Sequence, residues 1–252
     1  MTSNKHFICL RMDDVGASSK YFEIYSKLPL GVGNILFLKY LPFIKAWGRY
    51  DEMAVGDWID IIELLIHYNA KLTVGITASW VNKNGELIPF YDKFPQQLEQ
   101  IKIGLDLGVL EIANHGLTHC VIQRKLFLPK LFSSNRKYHR EFWDWIPKDI
   151  HFEHIEKSQQ ILQHSFKILP KVFIPPGNVF CKHTLDAAIK YGIKYVNCNT
   201  ASKSYKSLRI ISNENVKAFH DKEIVEQSPG FLGKLLSDYN SFPSTYKFVS
   251  EL

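Results

Sequence analysis

Short apolar runs alternate with amphipathic stretches along this chain. Phe7-Ile-Cys-Leu-Arg-Met12 reads as a buried strand that stops at two carboxylates and a glycine, in Asp13-Asp14-Val15-Gly16. Val55, Trp58, Ile59, Ile62 and Ile66 recur at helical spacing, Asn69 is the expected stop, and 71–77 follows as a strand. Residues 95–107 predict a helix and Val109–Ala113 a third strand, followed by Asn114-His115-Gly116-Leu117-Thr118-His119. The rhythm continues with a helix over 151–166 and a strand at Val172–Ile174 that ends in Pro175-Pro176-Gly177-Asn178. A helix over Thr184–Tyr191, stopped by Gly192, leads to a strand at Ile193–Val196. Leu208–Ile211 and Val216–Phe219 are further strands, the second ending in His220-Asp221.

No internal repeat, Gly/Ser linker or low-complexity segment divides these units. Repetition of β-loop-α predicts one parallel α/β domain over 1–252, with both sheet faces covered. Two aperiodic insertions interrupt it, at about 17–52 and 121–150. In such folds ligands sit at the C-terminal ends of strands. Asp13, Asp14, His115, His119, residues 175–178 and His220 all fall there.

Composition narrows the class. The 252 residues are 46% hydrophobic and 22% charged, which excludes disorder, collagen and coiled coil. Lys+Arg outnumber Asp+Glu by 31 to 25, a net charge of +6 that favours anionic partners: phosphate-bearing ligands, an acidic membrane surface or nucleic acid. No nucleic-acid-binding motif accompanies the charge, so no such partner is expected. Cys9, Cys120, Cys181 and Cys198 form no CxxC pair and read as reduced thiols. The N-terminus shows no signal-peptide core, so a cytoplasmic location is expected. The apolar, basic stretch 28–47 is interrupted by Pro29, Lys39, Pro42 and Lys45, so it is expected to touch a membrane and not to span it.

The candidate chemistry lies at the strand ends. His115 and His119 are four apart, and on a helical turn both imidazoles would share a face and hold one metal ion. This is not an HExxH pair, because Gly116 stands where that motif has its glutamate base. Asp13 and Asp14 offer the missing groups: one carboxylate completes a His₂Asp metal site while the other contacts the metal's water. Such a donor set suits zinc, cobalt, nickel or iron. Trp80, Trp143 and Trp145 could stack on a sugar ring or anchor a loop.

Arg11-Met12-Asp13-Asp14, His115-Gly116-Leu117-Thr118-His119, Phe173-Ile174-Pro175-Pro176-Gly177 and His220 together resemble the NodB-homology polysaccharide deacetylases, carbohydrate esterase family 4, over about residues 6–225. Members carry a Thr-Phe-Asp-Asp-Gly-like motif, His-Ser/Thr-x-x-His, Arg-x-Pro-x-Gly and a late histidine, in that order, on a distorted (β/α) barrel. The resemblance implies that Asp14, His115 and His119 hold a divalent metal, zinc first. It makes Asp13 the general base and His220 the general acid; the expected substrate contacts are Pro176, Gly177 and Asn178 of the third motif and, for its aromatic face, Trp80. The implied activity removes an N-acyl group, acetyl first, from an amino sugar in surface polysaccharide biosynthesis. For a cytoplasmic protein the sugar would be nucleotide- or lipid-phosphate-linked. The alternative is an inactive carbohydrate-binding protein on the same fold.

Several positions depart from the family pattern. Arg11 and Met12 stand at its Thr and Phe, Gly116 at its hydroxyl residue, and Phe173 at the arginine that orients the catalytic aspartate. Pro176 has no N–H to offer an oxyanion, which leaves Gly177 or the metal to carry that charge. The family's Asp-x-x-Asp-Trp motif is missing, and Asn197–Thr200 sits at its place.

Overall fold

Alternation of side chains along the first strand sorts the molecule into an inside and an outside. In the computed structural model, residues 6–22, 52–82, 84–122, 136–240 and 244–252 are described. The stretch 28–47, with Lys39 and Lys45, and residues 123–135 of the second insertion lie outside them. β1 (His6–Val15) sends Leu10 and Met12 to the outer core, and Cys9, Arg11 and Asp13 to the inner face.

The strands that follow are β2 (Leu72–Ile76), β3 (Ser79–Val81), β4 (Leu87–Pro89), β5 (Leu110–Asn114), β6 (Val172–Phe173), β7 (Tyr195–Cys198), β8 (Lys203–Tyr205), β9 (Leu208–Ser212), β10 (Val216–His220) and β11 (Ser244–Lys247). Their order in the main sheet is β10-β1-β2-β5-β6-β7-β9-β8, and β11 also pairs with β1. Every ladder is parallel except β8 with β9. β3 and β4 form a separate antiparallel hairpin.

Helices cover the outside. They are α1 (Ser19–Phe22), α2 (Val55–His67), α3 (Phe90–Lys93), α4 (Pro95–Asp106), α5 (Lys148–Phe166), α6 (Lys182–Lys190), α7 (Asp221–Gln227) and α8 (Gly230–Asn240). Trp58, Ile61 and Leu65 of α2 and Leu98 and Ile101 of α4 pack on Leu72, Val74, Leu110 and Ile112. Ile155 of α5 and Leu185 and Ala188 of α6 pack on Phe173 and Val196. Burial of such side chains contributes about 1.5–3 kcal/mol each. None of the described helices is long and apolar enough to cross a membrane.

The sheet is curled. β9 and β10 lie towards opposite ends of the strand order, yet only Asn213–Asn215 separates them in sequence. Cys9, Ala113, Val172, Ile174, Ile211 and Val216 fill the resulting interior. Among the described residues no ladder joins the two ends, so the barrel is distorted and its seam open.

Two differences from the pattern-based expectation matter for the site. β1 runs on to Val15, so Asp13 and Asp14 belong to its last turn of pleat, where the register with β2 shifts between Met12 and Val15. The β3–β4 hairpin, β8, β11, α7 and α8 were not expected; the two hairpin strands and β8 have three residues each, too few to show a period.

Gly104 lets α4 lie close on the sheet: a Cβ there would fall 2.5 Å from Leu110 Cδ1 and 2.7 Å from its Cγ. Gly104→Val is expected to lower stability by about 1–3 kcal/mol through overpacking, read as a lower urea midpoint at unchanged m.

Candidate active site

Asp14, His115 and His119 meet above the C-terminal ends of β1 and β5, with one ligand atom from each lying within 4.8 Å of the others. His115 Nε2 and His119 Nε2 stand 3.0 and 3.1 Å from the same oxygen, Asp14 Oδ1. The remaining ring nitrogens are engaged elsewhere: His115 Nδ1 donates to the Ile174 carbonyl at 2.7 Å, and His119 Nδ1 hydrogen-bonds Ser19 Oγ at 2.8 Å. A carbonyl only accepts, so in the neutral ring the His115 proton sits on Nδ1 and its Nε2 lone pair faces a carboxylate oxygen. His119 Nε2 is buried, and among the described residues nothing polar but Asp14 Oδ1 approaches it.

Protonation favours the same reading. Burial opposes charge on Asp14, but His119, the bonds from both histidines and His220 hold its carboxyl well below the usual range. Burial lowers the His119 pKa against the pull of Asp14. Once deprotonated, a carboxylate and two imidazoles with lone pairs turned to one point repel each other until a cation sits among them. The donor set therefore fits a divalent metal.

The histidines do not share a helical turn, as their spacing suggested. Residues 115–120 form a loop in which Gly116 has φ 86° and His119 φ 59°. Glu141, only 2% exposed, clamps that loop. Its Oε1 accepts the Leu117 N–H at 3.0 Å and bonds His154 Nδ1 at 2.6 Å, while Oε2 accepts the N–H groups of Thr118 at 3.2 Å and His119 at 3.0 Å. A Cβ at Gly116 would fall 2.2 Å from Glu141 Oε2, so glycine belongs there for space as well as for φ. Glu141 carries no periodic signal and follows a basic run, which is why the sequence did not reveal it.

Asp13 is held by a residue of its own strand. Arg11, 2% exposed, donates through NH2 to Asp13 Oδ2 at 2.7 Å and through NH1 to Asn213 Oδ1 at 2.9 Å and to Asn197 Oδ1. Asn197 is pinned in turn by its Nδ2 bond to the Ile211 carbonyl at 3.0 Å. Asp13 Oδ1 stays buried without a hydrogen-bond partner among the described residues. Phe173 takes no part: it faces the helices, edge-on to Phe142 at 5.4 Å between ring centroids. The guanidinium beside Asp13 is thus that of Arg11, two residues back on the same strand, and Asn197 anchors it.

A cleft of about 60 Å³ opens over these groups, lined by Asp13, Asp14, His115, His119, His220 and Arg140, with Ser19, Lys20, Pro175, Gly177 and Asn178 around it. His220 sits at the end of β10, opposite Asp13 in register. Burial works against its charge, but the bond to Glu223 and the carboxylates of Asp14 and Asp13 push its pKa up to about 9. Lys20 lies 2.6 Å from Glu52 and 2.5 Å from the buried Asp221.

Two residues expected at the substrate lie elsewhere. Trp80, on the hairpin, packs edge-on against Phe94 at 5.7 Å and under Lys93, away from the cleft. Pro176 turns behind the metal loop, its Cγ 3.2 Å from where a Gly116 Cβ would be, and Pro175 lines the cleft instead. The four cysteines are free thiols.

The family model described as "Polysaccharide deacetylase" matches residues 46–196, more than half of the chain, and the chain belongs to that family. Solved structures share the fold at low identity, as expected of a divergent member. A family 4 carbohydrate esterase from Bacillus anthracis is 13% identical over 99% of this chain and 83% of its own, with a TM-score of 0.55. A family 4 acetyl xylan esterase from Clostridium thermocellum, solved with a cobalt ion, is 11% identical over 97% of this chain and 89% of its own, with a TM-score of 0.53. A CE4 family pseudoenzyme from Bacillus anthracis is 13% identical over 99% of this chain and 66% of its own, with a TM-score of 0.51. The chain thus spans about two thirds of that protein's length. No curated protein matches the sequence.

Glu141→Gln and Gly116→Ala are each expected to weaken zinc or cobalt binding about 10- to 100-fold in calorimetric titrations, because both loosen the loop that aims the histidines. Unchanged affinity in both variants would show that the clamp is dispensable.

Proposed function

We propose that this protein is a metal-dependent deacetylase that removes an N-acyl group, acetyl first, from an amino sugar. The observation that carries the reading is the meeting, in one cleft, of a His₂Asp donor set with a separately held carboxylate, Asp13, and a further histidine, His220. Asp14, His115 and His119 would hold a divalent metal, which would supply Lewis-acid activation of water and of the acyl carbonyl. Zinc and cobalt both suit the donors.

The remaining steps belong to the chain's own groups. Arg11 holds Asp13 Oδ2, which leaves Oδ1 to take the proton of the attacking water. Gly177 lines the cleft and carries the N–H that Pro176 lacks, a donor for charge growing on the acyl oxygen. His220 protonates the departing nitrogen, since an amine leaves as the free base only with a proton supplied. Glu223 Oε2 lies 3.6 Å from His220 Nδ1 and, with the neighbouring carboxylates, raises the histidine's pKa. The biological setting we propose is cytoplasmic, in surface polysaccharide synthesis, on a phosphate-linked sugar that the positive net charge would suit.

Acetate release from N-acetylated amino sugars by the zinc- or cobalt-loaded protein tests the reading. Asp13→Asn is expected to cut turnover about 10²- to 10⁴-fold while metal affinity stays unchanged. Activity should fall on the alkaline side, as His220, whose pKa is raised above the ordinary histidine value, loses its proton, and His220→Gln should abolish that alkaline limb. A metal-loaded protein that binds sugars and releases no acetate would instead be the inactive carbohydrate-binding form of this fold.

A further inference from the structure

Among the described residues two permanent cations line the cleft, Lys20 and Arg140, and a third, Arg11, is bonded to the lining residue Asp13; Arg11 and Lys20 are neutralised. Arg11 is paired with Asp13, and Lys20 with Glu52 and Asp221. Arg140 lines the cleft, and among the described residues its side chain makes one hydrogen bond, from NH1 to the His139 carbonyl at 2.9 Å, and no ion pair. It is not a loose surface arginine. Its neighbour Glu141 is the buried clamp of the metal loop, which ties the Arg140 backbone to the metal ligands.

The far end of the side chain is seated as well. Gly177 has φ 58°, and a Cβ there would fall 1.7 Å from Arg140 Nε, 2.0 Å from Cδ and 2.5 Å from Cζ. Only glycine lets the guanidinium lie on this turn. The turn is fastened by Asn178, whose Oδ1 accepts the Asn199 N–H at 3.0 Å. A planar cation held at both ends beside the reacting centre, with no carboxylate of its own among the described residues, is suited to bidentate binding of an oxyanion.

We propose that Arg140 binds a phosphate or carboxylate group carried by the substrate next to its acylated nitrogen, so that the preferred substrates are anionic N-acetylated amino sugars. This rests on the deacetylase reading for the nature of the sugar, while the anion site itself is read by binding.

The test compares N-acetylglucosamine 1-phosphate, N-acetylmuramic acid and neutral N-acetylglucosamine on the zinc-loaded full chain, by calorimetric affinity and by acetate release. The wild type is expected to prefer an anionic sugar over the neutral one about 10- to 100-fold, through KM more than kcat, with the preference shrinking as salt rises. Arg140→Gln should erase the preference and Arg140→Lys restore part of it, with zinc affinity serving as the check on folding. Whichever of the two anions is preferred identifies the group as phosphate or carboxylate. Equal affinity for charged and neutral sugars in the wild type would overturn the proposal. So would an Arg140→Gln variant that loses all three sugars equally. Anion preference lost in Arg140→Gln without any acetate release would keep the subsite and sink the deacetylase reading.

Discussion

Two imidazole Nε2 atoms stand 3.0 and 3.1 Å from one oxygen of Asp14, and the other nitrogen of each ring is already committed. Three electron-rich atoms turned to one point would push apart in a chain free to relax. Here they are kept together from several sides: by Ile174 and Ser19 behind the rings, by Glu141 under the loop backbone, and by the register shift that turns Asp14 out of β1. A cation that satisfies all three therefore stabilises the folded state by mass action, and its affinity depends on how well the loop is aimed.

Much of this arrangement follows from period and position. The parallel α/β fold was legible because each buried strand is short, apolar and ends in polar groups, and Asp13, Asp14, His115, His119 and His220 fall at those ends. What could not be read was contact across the interior. Arg11 stands two residues before Asp13, so both point inward on the same strand, a consequence of pleat alternation that the sequence does contain. Its second role, bridging to Asn197 and Asn213, needs the curl of the sheet, which no local pattern encodes. The same alternation turns Phe173 outward onto Phe142.

The HxxxH spacing misled in an instructive way. Four residues apart suits a helical face, but Gly116 and His119 at positive φ make a tight loop that brings the two rings to 5.0 Å between centroids. Glu141 replaces helical hydrogen bonding by accepting the loop's N–H groups. Trp80 was assigned to substrate for its chemistry alone, whereas its hairpin places it against Phe94. Not every cation is turned to an external partner: Arg11 and Lys20 are buried in ion pairs with Asp13, Glu52 and Asp221, and their charge serves the framework of the site.

Zinc K-edge X-ray absorption of the loaded full chain tests the donor set directly. Two histidine nitrogens and carboxylate or water oxygens at about 2.0–2.2 Å are expected, with outer-shell imidazole scattering that falls by half in His119→Ala. A shell of oxygens alone, or an imidazole signal unchanged by that substitution, would contradict a metal centre built on Asp14, His115 and His119.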